Sequence, residues 1–205
     1  MKHKKHNVIV CENQIQVNNI QLDYKKQSKI NALKIPKILT LDNWIASEYQ
    51  ELLMIETLQE LYILNGIEEK IIWEKIITND LKKRQEKKIS DITNIAQKAI
   101  NANRIISNYL IHDNELLKNN SYKEHSYFLE WRGEFKEECS KKKLITKYDF
   151  INLFISLQQE KLIVVGKDIL FIGLDKSIAS YKKLYDELKK NNEVSEDLNN
   201  KKLKA

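Results

Sequence analysis

The 205-residue sequence contains one proline and four glycines. All-β sandwiches and barrels need frequent turn residues, so this scarcity argues against them and favours long helices joined by polar loops. Apolar residues make up 42% of the chain and charged residues 31%, which is ordinary for a folded protein. The length is enough for one well-buried core with a small attached subdomain.

The sequence has little of the chemistry that holds metals or forms disulfides. Two cysteines, Cys11 and Cys139, are too few for a disulfide framework or a four-cysteine zinc site. None of the four histidines stands at metal-ligand spacing from a cysteine or a glutamate. Cys139 lies on an aromatic stripe, which favours a core position over that of a nucleophile. We therefore predict no metal site and no cofactor.

Long apolar runs are also missing. No run approaches the ~20 residues that a membrane-spanning helix needs. The basic residues 1–6 precede an apolar run that is far too short for the core of a signal peptide. These absences predict a cytoplasmic protein with no membrane partner.

A phosphate-binding loop of the form Gly-x-x-x-x-Gly-Lys-[Ser/Thr] is absent from the sequence. Such loops need glycines because bulkier side chains keep the backbone N–H groups away from the phosphate. The paired carboxylates of a PD-(D/E)xK nuclease are absent too, since the nearest imitation, 166–168 with Asp175-Lys176, lacks them. The sequence therefore predicts no catalytic residue and no ordinary ATP-hydrolysing site.

The apolar residues predict strands near both ends of the chain and helices between them. A short continuous apolar run, typical of a buried parallel strand, occupies residues 8–11, and further strands are predicted at 35–39, with Pro36 at its entry, 162–165 and 169–172. Helical spacing predicts helices over residues 13–27, 41–53, from about 65, 89–110, 128–139, 150–157 and 178–188. Thr146 and Asp149 have the spacing of a capping box at the start of one of these helices.

This order of elements predicts a helix-rich α/β protein with a small parallel sheet. The predicted α/β core comprises residues 7–60 and 160–190, and a large helical insertion occupies residues 61–159. Residues 1–6 and 191–205 are predicted to be flexible tails, because they are polar and rich in lysine, asparagine and glutamate.

Basic residues are the main candidates for binding a ligand, because the net charge is +6. Two clusters are candidates for contacts with nucleic-acid phosphates: Lys82, Lys83, Arg84, Lys87 and Lys88, and then Lys141, Lys142 and Lys143. The alternative is that both clusters are solvated loop and helix ends. Trp44, Trp73 and Trp131 are able to stack on bases, but their apolar stripes favour core packing.

Five motifs in a fixed order resemble the N-terminal part of a bacterial family of probable DNA repair proteins. The motifs are Val8–Cys11 with Asn13 and Tyr24, Ile38–Ile45, Ile72–Ile77, Phe128 with Trp131, Phe135 and Cys139, and Ile169–Asp175 with its following helix. The family is similar to AddB, the helicase-like and nuclease subunit of double-strand-break processing complexes. The chain departs from the family pattern at 14–19, which is not Arg-rich, and at 176–179.

The resemblance implies a degenerate domain of the P-loop, superfamily-1 helicase type that lacks its ATP-binding loop. Such a domain serves as a scaffold or a DNA-handling surface, so DNA or a helicase/nuclease partner subunit is the implied ligand. Asp175 would stand where a helicase carries a metal-binding acid, and without the loop it is interpreted as a relic or a helix cap. Family members carry a PD-(D/E)xK nuclease domain at their C-terminal end, so this chain is expected to be an excised domain, a truncated gene product or a stand-alone relative.

The sequence thus leaves several functional hypotheses. The first is a non-catalytic, helicase-like module of an AddB-like DNA repair protein. The second is a helical protein-interaction scaffold that binds no nucleic acid and docks through an apolar surface around the Phe128–Phe135 helix. A truncated product without function and an enzyme of unrecognised type, which would need a pocket with convergent titratable groups, are the remaining alternatives.

Overall fold

A computed structural model describes residues 7–28, 35–53, 60–85, 91–117, 122–163, 168–191 and 194–197. Its elements are β1 (Val8–Cys11), α1 (Gln14–Ser28), β2 (Lys37–Thr40), α2 (Leu41–Leu53), β3 (Tyr62–Ile63), α3 (Gly66–Lys83), α4 (Ile92–Asn108), α5 (Asp113–Leu117), α6 (Lys123–Lys141), β4 (Leu144–Ile145), α7 (Lys147–Gln159), β5 (Ile169–Ile172), α8 (Ala179–Asn191) and β6 (Val194–Asp197). The chain divides into an α/β unit, Met1–Leu58 with Leu153–Ala205, and a helical unit, Gln59–Asn152.

The α/β unit is built on a four-stranded parallel sheet in the order β2-β1-β5-β6. Val8 stands opposite Lys37 on one side and opposite Ile169 on the other, so β1 lies inside the sheet. Strands buried on both faces need nearly continuous apolar sequence, which β1 and β5 have. The prediction of a helix-rich α/β protein with a small parallel sheet is confirmed.

Each face of this sheet carries its own apolar cluster. One face joins α1 to the strands through buried Ile9, Cys11, Val17, Ile38 and Ile172. The opposite face carries Phe171, which alternates with the residues named above and is buried. The ring of Trp44 packs edge-on against it, with 5.9 Å between the ring centroids. Trp44 also meets Phe154 at 5.7 Å, and Phe171 meets Tyr185 at 5.9 Å. The alternation of strand side chains thus builds two cores from one sheet.

Two expectations about strands need correction. Residues from 191 onward were expected to be a flexible tail, but Val194–Asp197 forms β6, paired in parallel with β5. Backbone hydrogen bonds make this strand although its sequence, VSED, has only one apolar residue. The expected strand over 162–165 is not formed at Leu162 or Ile163, and its other two residues lie outside the described part of the chain.

In the helical unit, α3 packs against both α4 and α6. At its centre Trp73 stacks on Phe135 at 4.5 Å and on Phe128 at 6.3 Å between ring centroids. The other buried members of this cluster are Leu64, Ile76, Ile77, Leu81, Ala96, Ala99, Ile100, Trp131 and Cys139. The prediction that all three tryptophans belong to the core is confirmed, because Trp44 and Trp73 are 0% exposed and Trp131 is 7% exposed.

Three helices begin at side chains that cap their first turn. Asn65 accepts hydrogen bonds from Ile67 N and Glu68 N, and the Glu68 side chain accepts one from Asn65 N, which completes a capping box. Thr146 caps α7 in the predicted way, since its Oγ1 accepts from Asp149 N at 3.2 Å. Asp91 caps α4 through a hydrogen bond from Asn94 N.

The helical unit also contains elements that the sequence did not predict. β3 and β4 form a two-residue parallel pair, and α5 lies between the helices predicted over residues 89–110 and 128–139. Across the described residues, no helix combines the length and the apolar character needed to span a membrane.

Candidate functional site

The first predicted basic cluster begins in the last turn of α3. Lys82 and Lys83 are exposed there, and Lys83 Nζ lies 4.0 Å from a carboxylate oxygen of Glu134 on α6. Lys87 and Lys88 lie outside the described residues. The cluster is therefore represented in the structure by Lys82, Lys83 and Arg84.

Arg84 has a different position from its two neighbours. Its Nε is 2.8 and 2.7 Å from the two carboxylate oxygens of Asp80, and its Nη2 donates to Glu130. Its guanidinium lies 4.1 Å from the centroid of the Tyr127 ring. The same Asp80 accepts a hydrogen bond of 2.8 Å from the indole N–H of Trp131. Arg84 therefore joins α3 to α6 through its Nε and Nη2 groups.

Within this network, Asp80 and Arg84 each shift the pKa of the other towards the charged form. Burial raises the pKa of Asp80, but hydrogen bonds from Arg84 and Trp131 outweigh it and hold the pKa below its usual value. The hydrogen bond to Asp80, followed by the one to Glu130, raises the pKa of Arg84. Both groups are therefore charged at neutral pH, as a structural ion pair requires.

The second predicted basic cluster lies at the end of α6. Lys141 and Lys142 each form an ion pair of 2.6 Å with the glutamate one turn earlier, Glu137 and Glu138 respectively. Lys143 follows the helix with a left-handed φ of 56°, and its carbonyl accepts a hydrogen bond from Tyr62 N. These lysines are exposed, but two of them stand beside carboxylates.

The structure brings one lysine of each cluster, Lys83 and Lys141, to a single groove between α3 and α6. The groove has a volume of about 320 Å³ and is lined by Ile72, Lys75, Ile76, Asn79, Lys83, Glu134, Glu137, Glu138 and Lys141. Lys75 spans it to Glu138 at 3.8 Å. Three lysines and three glutamates make this lining neutral, so a phosphate would have to compete with the glutamates for each lysine.

In the α/β unit the place to look for a ligand is the carboxyl edge of the sheet, where β1 has neighbours on both sides. There the backbone N–H of Glu12 donates to Gln16 Oε1 at 3.0 Å, and Gln16 N donates to Asn13 Oδ1 at 3.0 Å. A Cβ added to Gly173 (φ +76°) would lie only 2.7 Å from Gln16 Nε2. The first turn of α1 is thus capped by its own side chains, and Gln16 fills the space beside β5.

Carboxylates surround the same edge. Burial raises the pKa of Tyr181 on α8, and Asp42, Glu12 and Asp175 raise it further by their negative charge. Asp175 also accepts hydrogen bonds from the backbone N–H and the hydroxyl of Ser177, at 2.9 and 2.7 Å. Asp175 therefore acts as the cap of a turn before α8, and the electrostatic field at this edge opposes an anionic ligand.

The helical unit contains a buried polar centre that the sequence did not point to. Glu69, in the first turn of α3, is only 4% exposed, and its Oε1 has no hydrogen-bond partner among the described residues. The indole N–H of Trp73, one turn later, is likewise buried without one. Asp149 is better placed, since it accepts hydrogen bonds of 2.7 Å from Ser107 and 2.8 Å from Thr146.

These surroundings strongly change the ionisation of Glu69. Burial raises its pKa, the charge of Asp149 raises it further, and the nearby Trp73, Lys147 and Tyr148 only partly offset this, leaving a value of about 7. Burial, and then the charge of Glu69, raises the pKa of Tyr148 to about 12. The one signal for this group in the sequence is a glutamate beside a run of core residues, but an acidic residue in a first helical turn is ordinarily solvated and interacts with the helix dipole.

The two thiols are inert structural groups. Burial raises the pKa of Cys11 to about 11 and, together with the charges of Asp149 and Glu69, that of Cys139 to about 12. In the described ranges, no group of three or more histidine, cysteine, aspartate or glutamate side chains is placed to hold a metal ion.

Fold and site together define a class: a helix-rich α/β chain with a four-stranded parallel unit and a separate helical unit. No known protein-family model matches the sequence, and no curated protein sequence is significantly similar to it.

Proposed function

We propose that this chain is a non-catalytic, helicase-like module of a DNA repair protein similar to AddB, and that it contacts DNA or a partner subunit through its helical unit. The proposal combines the family resemblance of the sequence motifs with the architecture of the molecule. In support, β1 lies between β2 and β5 in an all-parallel sheet, and a large helical unit separates β2 from β5 in the sequence.

One observation carries the non-catalytic part of the proposal. In nucleotide-binding α/β sheets, the turn after the first strand offers its backbone N–H groups and its helix N-terminus to phosphate. Here the equivalent N–H groups of Glu12 and Gln16 donate to the chain's own Gln16 and Asn13 side chains. A triphosphate would have to displace both side chains and would meet the Glu12 carboxylate.

Titration calorimetry with Mg²⁺ and ATP tests this part directly. We expect no saturable heat, because the N–H donors are occupied and the edge is acidic. Saturable ATP binding that the variant Glu12→Lys changes would place a nucleotide at this edge and overturn the non-catalytic assignment.

The DNA-binding part rests on the exposed lysines of the helical unit, Lys82, Lys83 and 141–143. Because glutamates neutralise the α3–α6 groove, we expect binding to be weak and to depend strongly on salt. Fluorescence anisotropy with labelled single- and double-stranded oligonucleotides at low salt measures it. Absence of any binding would refute a DNA contact by this chain.

A pair of double variants locates the contact. Lys82→Gln with Lys83→Gln should weaken binding about tenfold and lower the slope of log K against log salt by about 2, because two phosphate contacts are removed. Lys25→Gln with Lys26→Gln removes the same charge from exposed residues of α1 in the α/β unit and should leave both quantities nearly unchanged. Equal losses in the two double variants would mean that only net charge matters.

A protein-interaction scaffold is the second candidate, but not through the surface first expected. Trp131 and Phe135 on α6 are buried and Phe128 packs against the core, so that helix offers no apolar docking face. Instead, Ile67 and Ile71 on α3 are 74% and 59% exposed at i,i+4 spacing. A partner subunit that the native chain retains and Ile67→Ser with Ile71→Ser releases, in a chain that binds no DNA, would favour this candidate.

A further inference from the structure

The buried centre of the helical unit brings two carboxyl groups together from different elements. Glu69 belongs to the first turn of α3 and Asp149 to the first turn of α7, and each affects the ionisation of the same neighbours. Glu69 is only 4% exposed, so its side chain has little contact with solvent. The negative charge of Asp149 acts on Glu69 and disfavours a second charge there, because little solvent screens the two groups.

The two carboxyl groups differ in their hydrogen bonds. Asp149 accepts from the hydroxyls of Ser107 and Thr146, so each of its two oxygens has a hydrogen-bond donor. Glu69 has a buried Oε1 to which no described residue donates a hydrogen bond. An uncharged carboxyl loses far less hydration on burial than a carboxylate does.

The charged and titratable groups around Glu69 come from all the elements packed there. They are Asp149, Tyr148 and Lys147 on α7, Arg104 on α4 acting on Tyr148, and Cys139 with Glu138 on α6. Lys147 is the cation that acts on Glu69 itself, and its effect is smaller than the effects of burial and of Asp149. The surroundings therefore favour the neutral acid over the anion.

We propose that Glu69 is a proton-binding switch in the helical unit: it carries a proton when α3 and the start of α7 are packed together, and loss of that proton loosens this packing. The step moves one proton from the Glu69 carboxyl to solvent and breaks no covalent bond. Deprotonation leaves two buried carboxylates, one of which has a buried oxygen with no hydrogen-bond donor among the described residues, and the least costly relief is hydration of Glu69 by separation of the two helix ends.

The direction of the pH dependence follows from the two states. In the unfolded chain Glu69 titrates near 4.5 and in the folded chain at about 7. The folded state therefore binds more protons between these values, so the stabilising contribution is complete below about pH 4.5 and is lost as the pH rises through 7. A salt-bridged aspartate such as Asp80 has the opposite dependence.

Chemical denaturation of the full chain as a function of pH tests the proposal, comparing the native protein with Glu69→Gln. Glutamine is a permanent neutral analogue of the protonated side chain. Between about pH 5 and about pH 9 the unfolding constant of the native protein should rise on the order of 100-fold relative to that of the variant. Glu137→Gln, an exposed residue on α6, makes the same chemical change and should retain the native pH profile.

Infrared difference spectroscopy provides a readout that does not depend on the stability of a variant. The native protein should show the C=O band of a protonated carboxyl group near neutral pH, which disappears on titration to about pH 9 and is absent from Glu69→Gln. Amide hydrogen exchange of α3 and of the start of α7 should accelerate over the same pH range. Parallel pH profiles for native protein and variant, or a native spectrum without that band, would overturn the proposal.

Discussion

The two units of this chain are stabilised in different ways. In the α/β unit, a ladder of parallel strands fixes which residues stand opposite one another, and apolar side chains such as Trp44 and Phe171 cover the sheet. In the helical unit, apolar stripes alone would not fix the positions of the helices along one another. Hydrogen bonds of buried charged residues fix them, and Asp80, for example, accepts hydrogen bonds from Arg84 and Trp131. Hydrogen bonds therefore define the relative positions of the elements within each unit. They come from the backbone in the α/β unit and from side chains in the helical unit.

A second polar network in the helical unit makes the same point. Arg132, which is 7% exposed, donates from Nε to Asn103 Oδ1 at 2.8 Å and from Nη1 to Asp113 at 2.5 Å. Lys136 reaches the other oxygen of Asp113 at 2.8 Å. These bonds connect α4, α5 and α6, so three helices take their relative positions from one arginine.

The largest expected effect comes from removing the central aromatic residue of each unit. Trp73→Ala and Trp44→Ala should each cost about 3–5 kcal/mol, because each side chain is fully buried among other rings. Amide hydrogen exchange should show lost protection mainly in the unit that contains the substitution. An equal loss of protection in both units would contradict this expectation, because it would mean that the two cores unfold together.

An intermediate effect is expected from the Asp80 network. Asp80→Ala should cost about 3 kcal/mol, because it leaves the indole N–H of Trp131 buried without an acceptor and Arg84 without its main partner. The native network should also weaken in acid, since the lowered pKa of Asp80 gives stability that is present above its unfolded pKa and lost as the pH falls through the folded one.

Urea denaturation measures this cost, and Asp23→Asn provides the control. Asp23 is exposed and lies 4.0 Å from Lys26 one turn later, so its substitution should change the free energy of unfolding by less than about 0.5 kcal/mol. A small cost for Asp80→Ala would mean that the apolar stripes alone position α3 and α6.

The smallest effects compare two glycines, one in each unit. Gly173→Ala should cost about 1–2 kcal/mol, because its φ of +76° is strained for alanine and the new Cβ would meet Gln16 at 2.7 Å. Gly133→Ala should stabilise α6 by about 0.5–1 kcal/mol, since nothing lies within 4 Å of the added Cβ. Thermal melts of the two variants should therefore move in opposite directions, and a shared direction would contradict this local explanation.

The sequence predicted the elements whose signal lies in their own residues. The apolar runs of β1 and β5 correctly indicated strands, and helical spacing correctly indicated that α3 begins at about residue 65. β6 could not be predicted, because its pairing uses backbone groups that every residue has. Strands of two residues, such as β3, are too short to show the alternation of apolar and polar residues that predicts a strand.

The candidate site was harder to predict because charge in a sequence carries no information about burial. Arg84 and Lys83 are adjacent and equally basic, yet Arg84 lies over Tyr127 between two carboxylates while Lys83 remains exposed. Glu69 and Glu68 are adjacent too, and only Glu69 is buried. Helical geometry turns neighbouring residues by about 100°, so these choices depend on where the other helices pack.

The strand β6 has a consequence for the behaviour of shortened chains. β5 is four apolar residues, ILFI, and β6 covers one of its two edges. A variant that ends before Val194 would present that edge with its N–H and C=O groups unpaired, which is the arrangement that recruits strands from other molecules. The polar residues of β6 therefore protect the sheet from aggregation, a role for which their low hydrophobicity is suited.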